Sequence, residues 1–166
     1  MKMKSADEQI LQSVSSMLIK YKLKIATAES CTGGLIAHSL TNISGSSDFF
    51  ECGIVSYSNR AKTERLDISE ELLNEYGAVS KPVAKAMAKG VRKKTDVDIG
   101  ISTTGIAGPT GGTKEKPVGL VFIGLSTRTN TIVKKYQFKG SRLENKQSTC
   151  NAALNMLYEY LKNLGD

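Results

Sequence analysis

Ile25-Ala26-Thr27-Ala28-Glu29-Ser30-Cys31-Thr32-Gly33-Gly34 is the stretch on which the fold turns. Its opening residues form an apolar run, and Leu35-Ile36-Ala37-His38-Ser39-Leu40 behind it has helical spacing. Ser30 therefore falls where a strand stops and a helix starts. The two glycines after it allow backbone angles that a Cβ would block. Such a junction offers backbone N–H groups beside the positive end of a helix dipole. A hydroxyl held there can attack a carbonyl or contact an anion. The plainer alternative is that Ser30 or Thr32 only caps the helix.

Working outward, Ile10, Val14, Met17, Leu18 and Tyr21 predict a helix over Asp7 to Tyr21. Leu23 to Ala28 follows as the first strand and Gly33 to Thr41 as the second helix. Ile43 to Asp48 is a small polar loop, either a plain turn or a cradle for phosphate. Phe49-Phe50 opens a second strand that runs through Cys52 to Tyr57. Ser58 and Asn59 can cap a short helix carrying Arg60, Lys62 and Arg65. Ser69 caps Glu70 to Tyr76, with Gly77 just past its end. Another helix starts at Ser80 and crosses over to a third strand, Val97 to Thr103.

Gly105 to Pro117 is a long loop rich in Gly, Thr and Pro, which in a compact domain is either functional or disordered. It starts at the C-terminal end of a strand, where open α/β sheets bind ligands. Gly119 to Ser126 predicts a central strand. Thr131 to Phe138 predicts an edge strand antiparallel to it across a short turn. Leu143 to Leu164 closes the chain as a helix. Strands alternating with helices predict an α/β fold, with a mainly parallel sheet covered by helices on both faces.

The 166 residues suffice for one domain, expected to span 1–166. No apolar run is long enough to cross a membrane, and Asp7-Glu8-Gln9 follows the basic start Met1-Lys2-Met3-Lys4, so no secretory signal is expected. Three cysteines, Cys31, Cys52 and Cys150, lie far apart and form no CxxC, which points to free thiols in a cytoplasmic setting. The net charge of +7 admits an anionic partner. Its one tight cluster, Arg92-Lys93-Lys94, sits at a helix end where the dipole already favours cations. With few aromatics and no Trp there is no stacking platform, so nucleic acid is not expected.

One histidine, His38, lies about two helical turns past Ser30, more than about 10 Å along the helix. It would have to point back along the helix to serve a Ser-His-Asp triad, and a surface or packing role is the plainer reading. There is no His or Cys cluster to hold a metal. A serine hydrolase without histidine needs another base, and a lysine with a lowered pKa is the usual substitute. Val55-Ser56-Tyr57-Ser58-Asn59-Arg60-Ala61-Lys62 supplies Lys62, Tyr57 as a relay, and Arg60 to hold an anion. An ordinary strand–helix junction with solvated cations would read the same way.

Six blocks stand in order: Ala28 to Gly34, Gly45-Ser46-Ser47, Val55 to Asn59, Gly77 to Ser80, Thr104 to Pro109 with Gly111-Gly112-Thr113, and Lys116 to Gly119. On them, roughly residues 5 to 164 resemble the CinA C-terminal domain family, in the form that stands without the family's N-terminal domain. The resemblance implies a three-layer α/β/α sandwich with a mixed, mostly parallel sheet. It also implies hydrolysis of the carboxamide of nicotinamide mononucleotide to carboxylate and ammonia, without a cofactor. Ser30 would be the nucleophile and Lys62 the base, directly or through Tyr57, with Thr104 orienting Lys62 or the carboxamide. Oxyanion donors are expected near Thr32, Gly33 and Gly34 or at Thr104-Gly105. Ser46, Ser47, Arg142 or Lys146 would meet the phosphate, and Arg60 an anionic group. Lys146 stands where the family usually has Arg, which exchanges a bidentate contact for a point charge. Expected partners are a pyridine nucleotide and further copies of the chain, with no membrane. A catalytically silent nucleotide-binding protein on the same scaffold is the alternative.

Overall fold

The structure, a computed structural model, describes residues 6–165; the basic start Met1-Lys2-Met3-Lys4 lies outside them. In chain order it contains α1 (Ala6–Tyr21), β1 (Ile25–Glu29), α2 (Leu35–Thr41), β2 (Phe50–Val55), α3 (Asn59–Leu66), α4 (Glu70–Tyr76), α5 (Lys81–Lys94), β3 (Ile99–Gly105), β4 (Leu120–Ser126), β5 (Thr131–Gln137) and α6 (Arg142–Lys162). A single 3₁₀ turn, Ser46–Asp48, precedes β2.

The strands form one sheet in the order β2-β1-β3-β4-β5. Strands β2, β1 and β3 run parallel, because helices carry the chain back between them. The β3–β4 pair is antiparallel, as is β4–β5. Sequence periodicity anticipates only the second of these. No helix intervenes in residues 106–119, so the long loop acts as a wide hairpin. The sheet is therefore mixed, with β2 and β5 at its edges.

Alternation along β1 divides the core. Ile25 joins Ile99, Ile101 and Ile123 under α1, α2 and α6, against Val14, Leu18, Ile36, Leu40 and Leu157. Ala26 and Ala28 face the other way, toward Leu66, Leu73, Val83, Met87 and Val91 of α3, α4 and α5. The fold is thus a three-layer α/β/α sandwich. Helix α5 lies very close to the sheet: a Cβ on Gly124 would stand 2.7 Å from the Ala84 carbonyl oxygen. Ser58, Ser69, Ser80 and Ser141 cap α3, α4, α5 and α6 through their hydroxyls. No helix among the described residues is long and apolar enough to cross a membrane.

Candidate active site

Neither Ser30 nor Thr32 caps α2. The N-cap is Gly34, at φ 98°, with no side-chain bond. The work falls to Glu29, the last residue of β1, which is 1% exposed. One carboxylate oxygen accepts from Thr32 Oγ1 at 2.6 Å, Gly34 N at 3.0 Å and Ile36 N at 3.1 Å. The other accepts from Ala37 N at 2.8 Å. A buried carboxylate is tolerable only with such a donor set. Its charge also sits at the positive end of the α2 dipole. Consequently that helix N-terminus is already occupied, and the Gly34 N–H is not free to stabilise an oxyanion. Thr32 likewise spends its buried hydroxyl on Glu29 and on Thr103 Oγ1 at 2.8 Å.

Because residues alternate across a strand, Ser30 faces the opposite layer from Glu29. The Ser58 cap starts α3 so that Lys62, one turn in, points back under the end of β2. Lys62 is 1% exposed. Its Nζ donates to Ser30 Oγ at 3.0 Å, to the Ser56 carbonyl at 2.8 Å and to the Tyr57 carbonyl at 3.3 Å. Burial lowers the Lys62 pKa from its ordinary 10.5, against a smaller raising effect from the neighbouring Cys31. The cationic neighbours on the same helix, Arg60 and Arg65, are not among the causes. A neutral Lys62 would keep both N–H groups on the two carbonyls and turn its lone pair to the Ser30 hydroxyl. This pair can move a proton from oxygen to nitrogen with no change of partners. Cys31 differs: burial pushes its thiol up to about 11.

Ser30, Cys31 and Lys62 open onto a cavity of about 280 Å³, walled by Tyr57, Thr104 and the 105–111 loop. Arg142 spans its mouth. Its Nη1 donates to the Gly108 carbonyl at 2.8 Å and its Nη2 to Tyr57 Oη at 3.0 Å. Tyr57 therefore meets Lys62 only through its backbone carbonyl; its ring is exposed at the rim and its hydroxyl is held by Arg142, so it is not arranged as a relay. Thr104 lines the cavity but donates its hydroxyl to the Ala78 carbonyl at 2.7 Å, not to Lys62. Asn145, 1% exposed, pins the loop: its Nδ2 donates to the carbonyls of Ala107 and Gly140, and its Oδ1 accepts from Gly140 N. Sequence reasoning missed Glu29 and Asn145. Glu29 carried a signal, an acid that ends an apolar strand just before a helix. Asn145 carried none.

Seven expected contacts do not line the cavity. Thr32 and Gly34 are engaged with Glu29, and Gly33 N donates to the Ser30 carbonyl at 3.1 Å. Arg60 points into solvent and pairs with Glu64 at 2.9 Å. Ser46 and Ser47 sit at the other end of the sheet, because the Phe49 carbonyl accepts from Ile25 N at the start of β1. Five residues of strand separate them from Ser30, roughly 15 Å. Lys146 Nζ lies over Gly33, 3.6 Å from where a Cβ there would stand, and lines no part of the cavity. His38 is exposed and bonds Asn42.

The CinA C-terminal domain model matches residues 7–161. A CinA-like protein of Syntrophus aciditrophicus is 53% identical over 156 residues, which cover 93% of this chain and 37% of that protein. One from Syntrophotalea carbinolica is 48% identical over 157 residues, covering 95% and 38%. The chain thus spans well under half the length of these relatives. Among solved structures, the competence/damage inducible protein CihA of Agrobacterium tumefaciens superposes with TM-score 0.91 at 38% identity, covering 98% of this chain and 99% of that one. A competence-damaged protein (CinA) superfamily protein of Klebsiella pneumoniae gives TM-score 0.92 at 29% identity, covering 96% and 99%.

Proposed function

This chain belongs to the CinA C-terminal domain family, and on that footing we propose that it is a serine amidohydrolase that converts nicotinamide mononucleotide to nicotinic acid mononucleotide and ammonia. The observation that carries the reading is the 3.0 Å contact between Ser30 Oγ and the buried Lys62 amine at the wall of a cavity. In this mechanism neutral Lys62 takes the hydroxyl proton as Ser30 Oγ attacks the carboxamide carbon. The resulting ammonium keeps the Ser56 and Tyr57 carbonyls as acceptors. It then protonates the departing nitrogen, and ammonia leaves an acyl ester on Ser30. Neutral again, Lys62 takes a proton from water as the hydroxide adds to the ester, and returns it to Ser30 Oγ as the carboxylate leaves.

Donors for the oxyanion come from the backbone. The N–H group of Cys31, which lines the cavity, has no carbonyl acceptor among the described residues. The residue after a nucleophile is a common source of such a donor. Strand alternation supports a second. Ile106 N–H bonds the Leu120 carbonyl on the β4 side, so Gly105 N–H turns toward β1 and the Ser30 side. The cavity volume lies at the small end of ligand sites, about 300–1,000 Å³, which suits a single ring with its carboxamide. The Tyr57 ring at the rim would attract a cationic pyridinium. The sugar phosphate would then project past Arg142.

The test is ammonia release by the pure protein from nicotinamide mononucleotide, with the riboside and free nicotinamide alongside. Release from the mononucleotide that is lost in Ser30→Ala supports the reading. Binding of the nucleotide without ammonia at any pH from 6 to 10 would make the chain a silent nucleotide-binding protein instead.

A further inference from the structure

We infer that a second anion site, built for linked phosphate groups, lies at the end of the sheet opposite Ser30. Helix α5 contains six of the chain's 23 cationic residues and none of its 16 acidic ones. Lys85, Lys89 and Lys93 repeat every four residues, so they share one stripe with charges about 6 Å apart. Like charges at that spacing disfavour a helix by a few tenths of a kcal/mol per pair. The dipole compensates only the last turn, which accounts for Lys93 but not for Lys85 or Lys89. Among the described residues none of the three forms an ion pair, although acids are present at this end. Asp67 pairs with Lys94, and Asp96 and Asp98 pair with Arg128.

The stripe forms one wall of a concavity of about 310 Å³. Arg92, Arg128 and the turn 127–131 complete it, and among the described residues no acidic one lines it. Both guanidiniums are held from the side. Arg92 Nε donates to Ser126 Oγ at 3.3 Å, and Arg128 Nε to Asp98 Oδ1 at 3.1 Å. Arg92 thereby keeps both terminal nitrogens free, in the planar fork that suits phosphate oxygens. Register sets the location. Ser126 pairs with Gly100, at the start of β3, whereas the Ser30 cavity meets the end of β3 at Gly105. The two sites are therefore roughly 17 Å apart along the strand, and the substrate of the Ser30 cavity cannot supply this ligand.

No aromatic side chain lines the concavity, so nothing there stacks on a base. The site therefore recognises the phosphates of a small polyphosphate, not a polynucleotide. The Thr127–Asn130 backbone satisfies itself, with the N–H groups of Thr129 and Asn130 both donating to Thr127 Oγ1. The hydroxyls of Thr127, Thr129 and Thr131 are engaged within the turn and with Ser126, so recognition rests on side-chain charge.

The probe is inorganic tripolyphosphate, titrated calorimetrically into the full chain at 0.15 M salt, where diffuse surface attraction is largely screened. Wild type should bind at one site with submillimolar Kd. Lys85→Gln/Lys89→Gln should bind about tenfold more weakly, since two direct charge contacts are lost. Lys20→Gln/Lys134→Gln removes the same net charge elsewhere and should stay within about twofold. Arg142→Gln should bind like wild type, which separates this site from the Ser30 cavity. The proposal falls if wild type does not bind at this salt, if the two double variants weaken equally, or if Arg142→Gln abolishes binding. Binding of duplex DNA without binding of tripolyphosphate would also overturn it, in favour of a nucleic-acid surface.

Discussion

Replacing Glu29 by Gln changes one oxygen to an NH₂ group at constant volume, and the donor set shows what that costs. If the amide oxygen takes the position that accepts from Thr32 Oγ1, Gly34 N and Ile36 N, the new NH₂ faces the Ala37 N–H. One buried donor is then left without an acceptor, at about 1–3 kcal/mol. The three surviving bonds lose their charge assistance. The α2 dipole loses an anion at its positive end, which is worth roughly 1 kcal/mol. The sum is about 2–4 kcal/mol, a large share of the roughly 5–15 kcal/mol that a domain has in all. For a chain of this size, Tm should fall by about 5–15 °C. Urea unfolding followed by circular dichroism would measure it: the midpoint should drop while the slope stays unchanged, because the surface exposed on unfolding is the same. A Glu29→Gln midpoint within error of wild type would refute the reasoning. It would mean that the N-terminus of α2 needs no charge, and that Ser30 is positioned by β1 alone.

Ser30→Ala should fold normally and release no ammonia, and mass spectrometry of the wild type with a slow substrate should find the acyl group on Ser30. Lys62→Arg, which keeps the charge but cannot deprotonate, should be nearly as inactive as Lys62→Met, with losses of about a hundredfold or more in kcat/KM. The wild-type kcat/KM should fall as pH falls through an apparent pKa below the ordinary lysine value of 10.5, because the base must be neutral and burial lowers its pKa. Cys31→Ala should keep most of the activity, and iodoacetamide at pH 8 should not inactivate the protein, since a thiol near 11 is ionised in only about one molecule in a thousand there. Asn145→Ala should destabilise by about 2–3 kcal/mol in urea, because it strips partners from the buried Ala107 carbonyl of the 105–111 loop and from Gly140 just before α6.

What could be read beforehand was local. Apolar runs, period-2 and period-3.6 spacing and capping residues together located the helices and strands, and Ser58, Ser69 and Ser80 cap their helices as their positions suggest. Ser30 and Lys62 were legible because each ends or begins an element, and adjacent parallel strands bring such ends together. The β3–β4 pairing was not legible, because nothing in a glycine-rich loop states which way the chain returns. Nor could the fate of Ser46 and Ser47 be read. A polar loop before a strand resembles one after it, yet the two lie at opposite ends of the sheet. Arg60 failed for a related reason: two residues from Lys62 on α3, it lies on another side of the helix, which sends one side chain inward and the other into solvent.

The pairing of Ser30 with a lysine follows from how β1 handles its two last polar residues. A carboxylate aimed at Lys62 would hold it as an ammonium, and an ammonium cannot take a proton from Ser30. Glu29 is adjacent in sequence, but strand alternation sends it to the α2 layer and Ser30 to the α3 layer. There five donors converge on Glu29, including Thr27 Oγ1 at 3.4 Å. The hydrogen bonds of Lys62 go only to dipoles, the Ser56 and Tyr57 carbonyls and the Ser30 hydroxyl. Burial then acts on the remaining ionisable pair in opposite senses. It disfavours the ammonium of Lys62, so the amine becomes available as a base, and it disfavours the thiolate of Cys31, so the stronger intrinsic nucleophile stays protonated. A Ser30→Cys variant would tilt that balance. Its thiol would lie 3.0 Å or a little more from Lys62, where the ammonium favours the thiolate. The pair would rest as thiolate and ammonium, and the pH profile should lose its rise toward the lysine range. Retention of the wild-type profile in Ser30→Cys would mean that the group titrating in that rise is not Lys62.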